Sequence, residues 1–349
     1  MFLLKKKNQS VVGLDVGMRE IKAVELSRSG SGYAVTRLAV KPVVSEQATI
    51  ETLKNLAQEA GFRTTQTVSA VSGRSVVVRY ITMHPMNRDE LNTAMKYEAG
   101  KYIPFSLEDV VLDCQPLMGG VAEGRMGAEM KVLLVAVKRD HILSHVGQLS
   151  QAGYHSSIVD VDAFALGNAF NFARSQSGQG NSENNVGIVD IGATKTSINV
   201  CCSGASLFTR EVYLGGNDFT NAISRHRGLN FFEAEGFKMD TSTDETELAS
   251  SINLTLEELC NEIQMSFDYF ENQFDAHVGE VLLTGGGSQM KGLSSGLSER
   301  FGRSTEIWNP LSEIEIKGSN LDEATLASVG PRMAVAVGLA SRITSGKLS

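Results

Sequence analysis

Apolar and polar positions along the chain fall into blocks whose period switches between two and about 3.6 residues. In VVGLDVGMREIKAVEL, residues 11–26, an apolar run meets an acid flanked by glycines. After SRSGSG, the stretch GYAVTRLAVKPV alternates like a further strand, so the chain opens as a β-hairpin or meander. TIETLKNLAQEAGF sets Ile50, Leu53, Leu56, Ala57 and Ala60 at helical spacing and stops at Gly61, and TVSAVSG returns as a strand. From about Tyr80 the texture changes. SVVVRYITMHP is a strand, and NRDELNTAMKYEAGKYI is a helix with Asn87 and Glu90 as its capping box and Leu91, Met95, Ala99 and Tyr102 on one stripe. DVVLDCQPL and KVLLVAVK are strands around the glycine-rich turn MGGVAEGRMG, and the helix DHILSHVGQLSQAG closes a block that reads as a small insertion within a larger domain.

SSIVDVDAFALGNAFNFA is a strand feeding a helix, and the polar Gly/Ser-rich RSQSGQGNSENN reads as a linker at a lobe boundary. Beyond it, NVGIVDIGATKTSINV revisits the opening. With Asp15 aligned on Asp190, Gly17 falls on Gly192, Leu14 on Val189 and Val16 on Ile191, a common offset of 175 residues that signals an internal duplication. GASLFTREVYLGG is strand-rich, and DFTNAISRHRG and FFEAEGFK are helical. LTLEELCNEIQMSFDYFENQF is a long amphipathic helix with Leu256, Leu259, Ile263, Phe267, Phe270 and Phe274 on its core face. EVLLTGGGSQMKGL ends a strand in three glycines ahead of another helix, and RMAVAVGLASRI is a final helix of small residues.

Composition narrows the class. A chain of 349 residues exceeds the usual single core, which suggests two domains or two lobes. With 42% hydrophobic and 21% charged residues it has the means to build them. A net charge of -8 argues against a broad nucleic-acid footprint. The longest wholly apolar runs, VLLVAV and MAVAVGLA, fall short of the roughly 18 residues a membrane span needs. MFLLKKKNQS places its charges after a very short apolar piece, the reverse of a secretory signal, and reads as a frayed end, so a cytoplasmic location is expected. Cys114, Cys201, Cys202 and Cys260 lack paired spacing and read as reduced filler, and His84, His141, His145, His155, His226 and His277 are scattered without metal-ligand spacing.

The chemistry concentrates in the glycine turns. Two Asp-x-Gly turns, each after an apolar strand, suit the two sides of a polyphosphate: glycine turns present backbone N–H groups to phosphate oxygens, and a carboxylate holds the waters of a Mg²⁺ ion. Taken singly, each is an ordinary strand-end turn. Gly285, Gly286 and Gly287 let a nucleobase or ribose lie against the main chain. Lys22 either reaches the phosphates as a point charge or is a solvated strand lysine.

The order GLDVG, VDIGATKTS and LLTGGGSQMKGL resembles the phosphate-1, phosphate-2 and adenosine motifs of the actin-like ATPase superfamily. That resemblance implies an α/β fold in which two ribonuclease H-like lobes clamp ATP and Mg²⁺. Asp15 and Asp190 then organise the metal and water, and Gly13, Gly17, Lys22, Gly192, Ala193, Thr194 and Lys195 surround the phosphates. Gly285, Gly286 and Gly287 cradle adenosine, and Glu235 and Lys238 of EAEGFK flank the ribose and base. Asp162 falls where relatives position the attacking water, and its other reading is a cap for the following helix.

The block from about 80 to 155 resembles the inserted 1C subdomain of FtsA-type proteins. Together with KYEAGKYIPFSLEDVVLDCQPL, VDVDAFAL and LGGNDFT it makes the chain resemble the PilM family of type IV pilus assembly proteins. The implied division is residues 1–79 and 156–180 as the first lobe (1A), 80–155 as 1C and 181–349 as the second lobe (2A/2B), with a C-terminal helix at about 330–345 returning toward the first. The implied function is a cytoplasmic ATP-binding scaffold, at most a slow ATPase. It docks the N-terminal cytoplasmic tail of the inner-membrane protein PilN between the first lobe and the insertion, contacts the pilus motor ATPases and self-associates into a ring. It meets the membrane only through PilN. The alternatives are a small-molecule kinase of the sugar or acetate class, with Asp162 as its base, and an FtsA-like division protein, which the short polar ending SRITSGKLS disfavours. One departure stands out: where the first motif usually carries a small hydroxyl residue, this chain has Met18 followed by Arg19.

Overall fold

In the computed structural model, which describes residues 10–43, 45–117, 129–180, 184–240, 242–318 and 321–345, the chain opens with three antiparallel strands. These are β1 (Ser10–Val16), β2 (Glu20–Ser29) and β3 (Gly32–Pro42). Helix α1 (Thr49–Ala60) buries Leu53 and Leu56 and ends where Gly61, at φ 60°, takes the left-handed C-cap that its missing Cβ allows. The following strand β4 (Gln66–Val71) then lies parallel to β1.

Residues Val71–Gln151 form a compact unit of their own. It contains β5 (Val76–Met83), α2 (Arg88–Glu98), β6 (Val110–Pro116), β7 (Met130–Lys138) and α3 (Arg139–Gln151). Central β7 pairs antiparallel with β5 and β6, and Leu91 and Met95 of α2 close the core over Val77, Ile81, Val132 and Leu134. The expected capping box is made: Asn87 Oδ1 accepts from the Asp89 and Glu90 N–H groups at 3.0 Å, and Glu90 accepts from the Asn87 N–H at 2.9 Å. Pairing of β5 with β7 runs from Val76 to Met83, so this unit begins ahead of Tyr80. The MGGVAEGRMG turn and the MFLLKKK end lie outside the described residues.

The other unit comprises Met1–Ala70 and Ala152–Ser349. After β8 (His155–Val161) and α4 (Asp162–Gln176) come β9 (Asn185–Ile191), β10 (Thr196–Cys202) and β11 (Ala205–Val212). Three helices follow, α5 (Gly216–Arg227), α6 (Phe231–Met239) and the 30-residue α7 (Glu245–Phe274). The chain continues through β12 (Val278–Thr284), α8 (Leu293–Phe301), β13 (Ser304–Ile307), β14 (Glu315–Ile316), α9 (Glu323–Val329) and α10 (Ala334–Ala340). One sheet runs β3-β2-β1-β4-β8 with β14 added beside β3; the other runs β11-β10-β9-β12-β13. Each sheet thus places the third, second, first, fourth and fifth strands of its own segment in that order. The ends of β1 and β9 differ by 175 residues at both boundaries.

Helices α4 and α10 share one core with both sheets, in which Val11 of β1 and Val186 and Ile188 of β9 take part. Contact there is backbone to backbone. A Cβ on Gly13 would stand 2.0 Å from Ala336 O, and one on Gly338 would stand 1.8 Å from Ala165 O. Strand side chains alternate faces, so Asp15 follows Val11 and Gly13, and Asp190 follows Val186 and Ile188, onto the faces directed at this helical layer. Val189 and Ile191 point the other way, into a core with Phe267 and Phe270 of α7. The C-terminal stretch Glu323–Thr344 is long and apolar enough by composition to cross a membrane. It is broken by 3₁₀ turns at Gly330–Met333 and Ser341–Ser345, and every residue of α10 is buried, which is how a core segment behaves.

Candidate functional site

The β1–β2 and β9–β10 connections are one turn built twice. The Gly17 N–H donates to Glu20 O at 3.0 Å, and the Gly192 N–H donates to Lys195 O at 2.9 Å. A Cβ on Gly17 would come within 2.8 Å of Glu20 O, and one on Gly192 within 3.0 Å of Lys195 O, so the same close approach selects glycine in both. The second turn rests on the start of α5. Gly216 and Asn217 donate their N–H groups to Gly192 O at 2.8 Å and Ala193 O at 2.7 Å, which satisfies two donors a helix N-terminus otherwise leaves unpaired. Ala193 and Thr194 form the tip, with Thr194 exposed.

In the third turn, Gly285 has φ 85°, and a Cβ there would lie 2.6 Å from both Asp190 Oδ1 and Ile191 O; a Cβ on Gly287 would lie 2.4 Å from Ile191 Cγ2. Both glycines serve the packing of this turn onto the end of β9. Only Gly286 leaves room beside it, with Arg332 Cδ 3.8 Å from an added Cβ. Gly13, which the resemblance puts near phosphate, is buried under α10 instead.

Charges of both signs gather around these turns. Asp15 and Lys22 face each other across β1 and β2, with Lys22 Nζ donating to Asp15 Oδ2 at 2.6 Å. Burial opposes the charge on Lys22, but the Asp15 carboxylate outweighs it and holds the ammonium above its ordinary value. Burial pushes the Asp190 carboxyl up to about 6; Lys22 and Lys195 resist, while the charges of Asp15 and Asp162 add to the rise. Lys195 Nζ joins Asp162 Oδ2 at 2.5 Å to Glu211 Oε1 at 2.6 Å. Asp162 is the first helical residue of α4, whose N-cap is Val161, so its carboxylate sits at the helix N-terminus and pairs with Lys195 rather than capping the helix. The expected site residues Glu235 and Lys238 belong to a network on α6. Lys238 Nζ donates to Gly216 O at 3.0 Å, Thr220 Oγ1 at 2.8 Å and Glu235 Oε2 at 2.7 Å, and the Thr220 hydroxyl donates to Glu235 at 2.5 Å. Burial draws the Lys238 ammonium below its usual range. Burial works against the charged Glu235 carboxylate as well, yet the bonds from Lys238 and Thr220 hold its carboxyl below the usual range.

Four participants lie outside the expected site residues. Thr220 and Glu211 complete the two lysine networks, Arg332 pairs with Glu20 at 2.6 Å, and Arg19 pairs with Glu235 at 3.2 Å. Glu211 is an acid within a strand and was open to suspicion on that ground; Arg332 finds its partner more than three hundred positions away, which no local pattern encodes.

Asp15 and Asp190 fit a hydrated Mg²⁺ ion. The charge of Asp15 adds to the cost of ionising Asp190, and a divalent cation would relieve that repulsion. Among the described residues no three His, Cys, Asp or Glu side chains group as a metal site, so such an ion would take its remaining ligands from water and phosphate, as Mg²⁺ commonly does.

The repeated sheet, the shared helical layer and the paired turns define an actin-like ATPase fold. The ethanolamine utilization protein EutJ from Carboxydothermus hydrogenoformans superposes with a TM-score of 0.55 at 16% identity, over 95% of this chain and 89% of that one. MreB5 of Spiroplasma citri bound to AMPPNP gives 0.51 at 11% identity, over 95% and 94%. At these identities the likeness is one of fold. A chain of a solved PilM-PilN type IV pilus biogenesis complex is far more similar, with a TM-score of 0.82 and 30% identity over 95% of this chain and 98% of that one. The model of the type IV pilus assembly protein PilM family matches residues 13–344, and the chain belongs to that family.

Proposed function

We propose that this protein is a nucleotide-binding scaffold of the type IV pilus assembly machine. ATP with Mg²⁺ binds between the Gly17 and Gly192 turns, with Asp15 and Asp190 toward the metal and Gly286 open to the adenosine. The observation that carries this reading is the duplicated turn: one backbone hydrogen bond, one glycine requirement and one acid, repeated at a fixed offset and directed at a shared layer. Lys22 and Lys195 supply positive charge beside the phosphates, and Glu235 and Lys238 offer polar groups to the ribose and base. Hydrolysis is slow or absent, because the Asp162 carboxylate, the candidate for activating water, is already engaged in an ion pair with Lys195 rather than free to accept a proton. The same pairing weakens the phosphotransferase reading, which needs a free base.

The partner is the N-terminal cytoplasmic tail of a PilN protein, supported by the 30% identity to a chain of a PilM-PilN complex. Binding an extended tail by main-chain pairing and side-chain pockets suits such a role. The scaffold then sits at the cytoplasmic face of the inner membrane through PilN, assembles as a ring and links PilN to the pilus motor ATPases. ATP favours the closed arrangement of the lobes only by its differential affinity for it. The test is to denature the purified protein and identify released nucleotide, with Asp190→Ala alongside, and to titrate a peptide of the PilN tail with and without ATP. Retained ATP lost in the variant, together with peptide binding, is the expected result. Absence of peptide binding under both conditions removes the scaffold reading.

A further inference from the structure

Arg19 follows Met18, the residue that stands where the first motif usually carries a small hydroxyl, and the structure gives the Arg19 side chain a task of its own. It leaves the β1–β2 turn and ends against α6, with Nη2 3.2 Å from Glu235 Oε2 and the guanidinium carbon 5.1 Å from the centre of the Phe231 ring. Phe231 and Glu235 are four residues apart and so occupy one face of α6. That helix is a firm target: Asn230 Oδ1 accepts from the Phe232 and Glu233 N–H groups at 2.9 and 3.0 Å, and Glu233 closes the capping box at 2.8 Å. Glu235 is fixed from behind by Lys238 and Thr220, and Lys238 reaches Gly216 O. Gly216 in turn donates its N–H to Gly192 O. One chain of polar contacts therefore runs from the first glycine turn through Arg19, Glu235, Lys238 and Gly216 to the second.

We propose that Arg19 is the bolt of the nucleotide site. It fastens the first turn to α6 around a bound nucleoside triphosphate and slows its departure, in place of a hydroxyl contact to the phosphate. This rests on the nucleotide reading above. The length of arginine matters, since a serine or threonine on the turn would stop far short of α6. Its planar cation suits both partners, pairing with the Glu235 carboxylate while lying over the Phe231 ring.

The experiment follows release of radiolabelled ATP by filter binding after a chase with unlabelled ATP. It compares wild type, Arg19→Ala, Arg19→Lys and Asp190→Ala. Losing one partly exposed ion pair and one cation–π contact should speed release about tenfold in Arg19→Ala. Arg19→Lys should fall between, because it keeps the charge and loses the stacked plane. Release from Arg19→Ala at the wild-type rate, with Asp190→Ala unable to bind, overturns the bolt and leaves the nucleotide site standing. ATP binding gained in Arg19→Ala but absent from wild type overturns it as well, since Arg19 would then bar the site. No binding by any of these proteins removes both readings.

Discussion

The two glycine turns share a backbone and differ in what holds them. Gly17 and Gly192 close the same loop with the same hydrogen bond. The second turn is then pinned from behind by the first N–H groups of α5, whereas the first is steadied by one bond from the Val43 N–H to Arg19 O at 2.8 Å. The second turn carries the small tip Ala193-Thr194; the first carries Met18, which is exposed, and Arg19, which reaches across to α6. A duplication fixes the local loop because that loop depends on a few neighbouring residues. It does not fix the support behind the loop, which other elements provide. One half thus offers a rigid, pre-set cradle and the other a turn with a long arm.

The strongest challenge to this contrast is Gly215→Val. Its Cβ would lie 2.7 Å from Gly192 O and 2.8 Å from Ala193 O, backbone on both sides, so a loss of about 3 kcal/mol or more is expected in urea unfolding. Val43→Pro, which removes the peptide N–H donated to Arg19 O in the first turn, should cost only about 1 kcal/mol. Equal losses would remove the asymmetry.

Next in size is Lys195→Met. It strands Asp162 and Glu211 beside the second turn and should cost about 2 kcal/mol, less than a fully buried pair because both partners keep some solvent. Adding Asp162→Asn should return part of that loss, measured as a double-mutant cycle.

Asp190→Asn sharpens the comparison through pH. With its carboxyl raised from 3.8 to about 6, Asp190 binds more protons in the folded protein than in the unfolded chain between these values, so its contribution to stability should fall as pH rises from about 4 to about 6. The asparagine variant should lose that slope and be about 1–3 kcal/mol more stable than wild type above pH 6, while failing to bind ATP. Urea midpoints of both proteins at pH 4 and pH 7.5 check it, and a difference between wild type and variant that does not change with pH would contradict the burial of this acid.

The smallest effect separates the glycines themselves. An alanine Cβ at Gly17 has the tighter gap, 2.8 Å against 3.0 Å at Gly192, yet the first turn lacks the helix N-terminus that holds the second. Gly192→Ala should therefore cost about 1 kcal/mol and Gly17→Ala about half of that, read as shifts in thermal midpoint. The reverse order would show that the local gap alone decides.

The sequence by itself determined the elements and the repeat. Period-two and period-3.6 patterns placed the strands and helices, from Gly61 ending α1 and the Asn87–Glu90 box starting α2 to the apolar face of α7, because these depend on residues within a few positions of one another. The 175-residue offset and the Asp-x-Gly pair were legible for the same reason, and β9 then fell at the offset from β1 without adjustment. Only the tertiary structure decided what those residues touch. Gly13 reads as a turn glycine and proves to be the seat of α10; Asp162 reads as a base or a cap and proves to be the partner of Lys195. Two of the three consecutive glycines serve packing against β9 and one is left open. The apolar C-terminal stretch became a core segment once β1 and α4 closed around it. Arg19 drew notice only as a departure from a pattern, and its meaning came from Glu235 and Phe231, more than two hundred residues away. Local preference sets backbone conformation over a few residues; the partners of a charge or of a missing Cβ are chosen by folding, which brings distant segments together at the expense of chain entropy.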